Sequence, residues 1–195
     1  LIVGSAAQRI VREAFGEIPK KVLADPYYYN GVTVYVPGTK PRPIENKIPV
    51  GWRRDLDFWM TQKAMDAGAK VYDECRIKSV KAAKVGVNVD FSRDGGESSI
   101  TASYVVGADG VRSAVRRSMF PALKVNYQEE IRECYEGSFP LDRMYFHAFY
   151  IPGKSWFDIN HKGPHFCLEV SAKPGELKDR LRQAKEILSK EYGFD

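Results

Sequence analysis

The chain has 195 residues, 44% hydrophobic and 28% charged, enough for one fair-sized core or two small ones and outside the range of disordered chains. Its 30 Lys and Arg against 25 Asp and Glu leave a net charge of +5, but the bases are spread along the sequence, which argues against a nucleic-acid surface. No apolar run approaches the roughly 20 residues that span a bilayer, and no signal peptide precedes residue 1, so a soluble protein is expected.

Leu1-Ile2-Val3-Gly4 lacks an initiating Met and runs directly into a helical pattern, as an internal fragment would. From Ser5 to Phe15 the residues Ile10, Val11, Ala14 and Phe15 share one helical face, and Gly16 stops it. Pro26 and three tyrosines lead to a β-branched strand at Val32–Val36, a turn at Pro37-Gly38 and a returning strand from Ile44 to Val50. Asp55 is placed to cap the next helix, in which Leu56, Trp59, Met60, Ala64 and Ala67 keep helical spacing until Gly68. Extended segments are expected at Lys70–Tyr72, Arg76–Lys81 and Val85–Phe91, and Asp94-Gly95-Gly96 turns the chain into a fourth, Ser99–Gly107, read as a buried strand. A helix over Val111–Phe120 ends at Pro121. Aromatic-rich β segments fill Tyr127–Val170, and Pro174-Gly175 introduces a helix lined by Leu177, Leu181, Ala184 and Leu188. The mixture predicts an α/β (α+β) fold with a boundary near Lys124.

Chemistry concentrates where Tyr104-Val105-Val106 runs through Gly107-Ala108-Asp109-Gly110 into a helix, placing Asp109 at the carboxyl end of the expected strand, where open α/β sheets bind ligands. A carboxylate there can accept hydrogen bonds from sugar or ribityl hydroxyls. Gly107 and Gly110 permit close backbone approach, and Ser113 and Arg116 on the first turns can brace the loop or meet an anion. On spacing alone the corner fits equally a structural turn in which Asp109 caps the helix. His147, His161 and His165 lie at spacings that suit surface or core residues better than a zinc site. Cys75, Cys134 and Cys167, far apart and next to no activating base, read as buried thiols in a reducing, cytoplasmic setting.

Gly107-Ala-Asp-Gly-x-x-Ser-x-x-Arg116 resembles the Asp-Gly motif of the FAD-dependent hydroxylase and geranylgeranyl reductase superfamily at every fixed position. Arg54, in Trp52-Arg53-Arg54-Asp55-Leu56-Asp57, followed by Gly68-Ala69, is similar to the superfamily's Arg-x-x-hydrophobic-Asp helix and its exit into a strand. The resemblance implies FAD as cofactor, held in part by Arg54, Gly107, Asp109, Gly110, Ser113 and Arg116, with NADPH or ferredoxin supplying electrons. It also implies a partial FAD/NAD(P)-binding Rossmann-like domain over residues 1–124, whose hairpin near 32–50 joins the sheet of a partial antiparallel substrate domain at 125–195.

Within the superfamily the chain most resembles the geranylgeranyl reductase branch, which saturates isoprenoid double bonds of (bacterio)chlorophyll or lipid precursors. Ser5–Gly16 is similar to the helix after that branch's flavin-proximal cysteine loop, and Val32–Gly38 to its hairpin. Tyr150–Gly163 lies where the branch carries Tyr-x-Trp-x-Phe-Pro-Lys-Gly. Trp156, Lys162 and Gly163 align, while Asn160-His161 replace Phe-Pro and Ser155 departs from the pattern. A prenyl-lipid or other small-molecule substrate would then lie against Tyr150, Trp156 and Phe166, with peripheral membrane association of the whole enzyme; an aromatic sheet filling its own core is the competing reading. No Gly-x-Gly-x-x-Gly is present to seat the FAD pyrophosphate, nor the later Gly-Asp-Ala segment, so the piece alone is expected to be inactive. An aromatic hydroxylase, a quinone-linked dehydrogenase and a non-catalytic binding domain remain alternatives.

Overall fold

The computed structural model describes residues 5–153 and 155–194. In chain order it forms α1 (Ser5–Phe15), a 3-10 turn (Lys20–Val22), β1 (Leu23–Tyr35), β2 (Arg42–Gly51), α2 (Arg53–Asp66), β3 (Arg76–Ala82), β4 (Val87–Arg93), β5 (Gly96–Ala102), α3 (Ala114–Met119), β6 (Glu129–Glu136), β7 (Tyr145–Ile151), β8 (Ser155–Lys162), β9 (His165–Ala172) and α4 (Leu177–Tyr192). The fold is mixed α/β, with one six-stranded mixed sheet and one three-stranded antiparallel sheet.

The chain divides into two compact units. Residues up to Ala69 join those from Gln128 onward in one unit, and Lys70–Tyr127 form the other. The cause is a parallel pairing of β1 with β7, from Gly31↔Tyr145 to Tyr35↔Phe149, which sets the early hairpin into the sheet of the last third of the chain. The order is β2-β1-β7-β8-β9-β6, and every other neighbouring pair is antiparallel.

Strand side chains alternate between faces, so register decides what each face carries. Phe149, Phe157, Ile159, Phe166, Leu168 and Val170 meet Ala184 and Leu188 of α4 in the main core, with Leu177, Leu181 and Ile187 packed around them. Phe149 stacks on Phe157 at 4.8 Å and on Tyr35 at 4.2 Å. α4 ends on Gly193, whose φ of 67° is the left-handed cap that glycine adopts without steric cost. A smaller cluster packs Val11 and Phe15 of α1 against Val22, Leu56 and Trp59. Gly31 is required where β1 crosses β2, because a Cβ there would lie 2.0 Å from the Ile44 carbonyl oxygen.

The second unit is a β3-β4-β5 meander, turned at Asp94 and Gly95 with φ of 51° and 78°, and α3 docks on β3, where the Val80 amide donates to Ser118 Oγ at 3.3 Å. Three expectations change. α2 starts at Arg53 behind an extended Trp52, so Asp55 lies in its first turn, where it favours the positive end of the helix without capping it. Lys70–Tyr72 is not a strand. Nor is Tyr104–Gly107: Tyr104 and Val106 are 89% and 87% exposed, because no described strand flanks that segment to complete its hydrogen bonds.

Leu188→Ala should cost about 2–5 kcal/mol in urea unfolding, since the side chain is fully buried under the main sheet, while Ile10→Ala on the exposed side of α1 should stay within about 0.5 kcal/mol.

Candidate functional site

The corner at Gly107–Arg116 is held by its own side chains. Asp109 Oδ2 accepts the Ala114 amide at 2.6 Å and the Val115 amide at 3.4 Å, and Ser113, the N-cap of α3, accepts the Arg116 amide at 2.9 Å. Arg116 Nη2 donates to the Val111 carbonyl at 2.7 Å, and Arg117 donates to the carbonyl of Arg112. Gly107 packs so close to α3 that a Cβ would lie 2.9 Å from Val115 Cβ, while Gly110, at φ 75°, takes a left-handed turn in open space. A hydrogen bond with Ser113, then those from the backbone, hold the Asp109 carboxyl below the usual carboxylate range. The structure therefore brings Gly107, Asp109, Gly110, Ser113 and Arg116 into one exposed loop-helix junction, with one Asp109 oxygen committed to the helix. Arg54, on α2 in the other unit, is 87% exposed and, among the described residues, pairs with the neighbouring Asp55 at 3.0 Å.

The groups of this corner fit the polar edge of a flavin cofactor in their donor and acceptor types: Asp109 is an exposed carboxylate and Gly110 leaves the loop backbone bare. Arg54, by itself, is a cation whose exposed ion pair with Asp55 is easily exchanged.

The substrate-side candidates divide. Tyr150 and Trp156 are register partners on β7 and β8, their rings 5.0 Å apart, and Trp156 is 44% exposed. Phe166 does not join them. It pairs with His161 on the opposite face of the sheet, where it packs with Tyr135 and Phe139 at 5.2 Å in the core beneath α4. The competing aromatic-core reading applies to Phe166 alone.

The face that carries Tyr150 and Trp156 also holds a line of charged and amide groups, of which the sequence singled out Asn160 and Lys162 but not Asp158, Glu169 or Arg132. Asp158, Asn160 and Lys162 alternate along β8, opposite Glu169, Cys167 and His165 of β9, and Arg132 of β6 lies opposite Glu169. Glu169 Oε1 is 2.7 Å from Arg132 Nε, accepts Asn160 Nδ2 at 3.0 Å and lies 3.9 Å from Lys162 Nζ. Lys162 is fully buried, its Nζ 5.3 Å from the centre of the Trp52 ring. Burial acts to raise the Glu169 carboxyl, but Arg132, Lys162 and Asn160 outweigh it and hold Glu169 below its ordinary range. Burial, then repulsion from Glu169 and Glu130, pushes Asp158 up to about 7 against the opposing pull of Arg132. Burial lowers Lys162, partly opposed by Glu169. In a strand pattern these residues look like an ordinary solvent face; only the register shows that they converge.

Cys134 and Cys167 correct the expectation of buried thiols: they are cross-strand partners on β6 and β9 and form a disulfide, leaving Cys75 free and half-buried. Their separation of 33 residues carries no sign of this, because antiparallel register creates it, and the pairing removes the unpaired-thiol argument for a reducing compartment. His147 and His161 are buried in local hydrogen bonds, His147 between Tyr35 Oη at 3.1 Å and the Asp142 carbonyl at 2.8 Å, and His161 against the Phe139 amide at 3.1 Å. No described helix is long and apolar enough to cross a membrane.

Comparison with known proteins bears on the same segments. Residues 52–144 match the family model described as FAD binding domain. Protein CbrA of Escherichia coli K12 is 28% identical over 141 residues, which are 72% of this chain and 39% of that protein. In structure, a geranylgeranyl bacteriochlorophyll reductase-like protein from Thermoplasma acidophilum superposes with a TM-score of 0.75 at 18% identity, covering 91% of this chain and 49% of that one. The p-nitrophenol 4-monooxygenase of Pseudomonas putida gives 0.63 at 11% identity, over 85% of this chain and 46% of that one. The chain thus spans under half the length of these relatives.

Asp158 also makes a stability signature. Its folded pKa lies above the unfolded value of 3.8, so the stability it contributes is fully present below that value and is lost as pH rises through about 7. Asp158→Asn should remove this loss. Urea unfolding should show the variant more stable than wild type by roughly 1–4 kcal/mol above pH 7 and nearly equal to it below pH ~4.

Proposed function

We propose that this chain is part of an FAD-dependent oxidoreductase whose parent enzyme saturates carbon–carbon double bonds of an isoprenoid substrate in the manner of geranylgeranyl reductases. The observation that carries this reading is the aromatic pair Tyr150–Trp156, half-open on the sheet face turned away from the α4 core and unused by that core. A prenyl chain offers no polar handle along its length, so an aromatic wall with apolar faces is the surface that would hold it. The likeness to the Thermoplasma protein supports the same class.

FAD supplies the hydride chemistry when bound, and this chain supplies polar contacts to it. Asp109 would accept a ribityl or ribose hydroxyl at its exposed carboxylate, Gly107 and Gly110 would let the backbone approach, Ser113 and Arg116 would keep the corner rigid, and Arg54 would meet an anionic or carbonyl edge. NADPH or reduced ferredoxin would furnish electrons, and a prenyl-lipid substrate would be collected by peripheral contact with a membrane. A second reading, aromatic hydroxylation, draws on the polar half of the same face, where Asn160, Lys162 and Glu169 suit a small polar ring better than a hydrocarbon.

The test uses the full-length protein, reduced and mixed with geranylgeranyl diphosphate, with product read by mass spectrometry. Addition of H₂ per double bond is expected; hydroxylated product from 4-hydroxybenzoate, with no prenyl reduction, would favour the second reading. Trp156→Ala should raise the prenyl KM on the order of 10-fold at unchanged flavin content, the cost of about 1.4 kcal/mol of lost contact. Asp109→Ala should do the reverse, lowering flavin content at unchanged KM. A Trp156 variant that lost flavin and kept its KM would contradict the assignment.

A further inference from the structure

Saturating a double bond requires two hydrogens in different forms, a hydride on one carbon and a proton on the other. The hydride has a source in reduced flavin, but the proton needs a group that keeps its hydrogen at neutral pH and stands on the substrate face. Ordinary carboxyls are ionised there; His147 and His161 point to the α4 side, already hydrogen bonded, and His165, on the same face as Trp156, stands opposite Lys162 at the far end of β8 from Trp156, against Trp52.

Asp158 follows Trp156 by two residues on β8, so both occupy the face away from α4. Its partner across β9 is Glu169, another carboxylate, and cross-strand partners of like charge repel. Two adjacent carboxylates share what cations are present, and here the sharing is unequal. Arg132 Nε sits 2.7 Å from Glu169, Asn160 donates to the same oxygen at 3.0 Å, and Lys162 Nζ is nearest to it as well, at 3.9 Å. Among the described residues Asp158 has no ion pair. Its partner on β7 is Ala148, which brings no charge, and β6 brings Glu130 as well as Arg132. The proton therefore resides on Asp158 and the negative charge on Glu169, the division of roles that acid–base pairs use. The same face holds Lys162 Nζ and Asn160 Oδ1 fully buried without a hydrogen-bond partner among the described residues.

We propose that Asp158, the cross-strand partner of Glu169 on the sheet face that carries Trp156, is the proton donor of the reaction; this rests on the isoprenoid-reductase reading. The O–H bond of the Asp158 carboxyl breaks, its hydrogen forms the C–H bond at one alkene carbon as a proton, and the electron pair of the π bond makes that bond. The other carbon would take hydride, with its two electrons, from reduced flavin, the chemistry FAD would supply when bound, and the transfer would leave the flavin oxidised. Asp158, now a carboxylate, recovers a proton from water.

The test has a readout apart from turnover. In full-length oxidised protein labelled with ¹³C at aspartate carboxyls, the resonance lost in Asp158→Asn should titrate near 7 in wild type, and Glu169→Gln should shift that titration toward the ordinary range, because the repelling charge is gone and Arg132 is released to Asp158. In single-turnover mixing of reduced enzyme with geranylgeranyl diphosphate at pH 7, Asp158→Asn should slow flavin reoxidation at least ~100-fold at unchanged flavin content. A wild-type Asp158 that titrates as an ordinary carboxylate overturns the proposal without any variant having to fold. So does a variant that reoxidises at the wild-type rate, and that result leaves the isoprenoid reading standing. A wild-type enzyme inert toward the prenyl substrate removes both.

Discussion

The pairing of β1 with β7 is the constraint on which the rest of the main unit depends. It is the one parallel ladder in the sheet, and it closes a chain separation of more than a hundred residues between Gly31 and Tyr145. With β1 seated beside β7, the hairpin extends the sheet to six strands and the segment between them is left to form its own meander with α3. Tyr29 reinforces the junction by donating its hydroxyl to the His161 carbonyl at 2.5 Å from inside the protein.

Once the sheet is fixed, its two faces diverge in chemistry. One is covered by α4 and is almost wholly aliphatic and aromatic, so its contribution is stability. The other places Tyr150 and Trp156 beside a line of charged and amide groups that runs from Asp158 to Lys162. Burying those groups in an incompletely paired state is costly, and a sheet kept only for stability would replace them with apolar residues. Their retention on the same face as an open aromatic pair is the physical ground for reading that face as the working one.

The sequence made the local elements legible. Helical spacing up to Gly68 marked α2, aromatic richness marked the β segments between Tyr127 and Val170, and Leu177, Leu181, Ala184 and Leu188 marked the buried side of α4. The Asp-Gly corner could be located, with cofactor contact and helix cap both open as readings; the structure shows the capping hydrogen bonds directly. What pairing alone decides was not legible. The apolar Tyr104-Val105-Val106 reads as a buried strand, yet a strand exists only with neighbours, and none of the described ones flanks it. Phe166 looks equivalent to Trp156 until the register sends it to the other face. Cys134 and Cys167, like Asp158 and Glu169, become neighbours only through antiparallel partnership, which no one-dimensional spacing records.

The central claim is that the sheet face bearing Tyr150, Trp156 and Asp158 is the substrate face of a flavoenzyme. A crystal structure of the full-length protein with FAD and geranylgeranyl diphosphate tests it most directly. The expected result is prenyl density lying along Tyr150 and Trp156, with an alkene carbon within reach of the Asp158 carboxyl. Prenyl density confined to the α4 side of the sheet, or this face covered by protein with no room for a ligand, would contradict it.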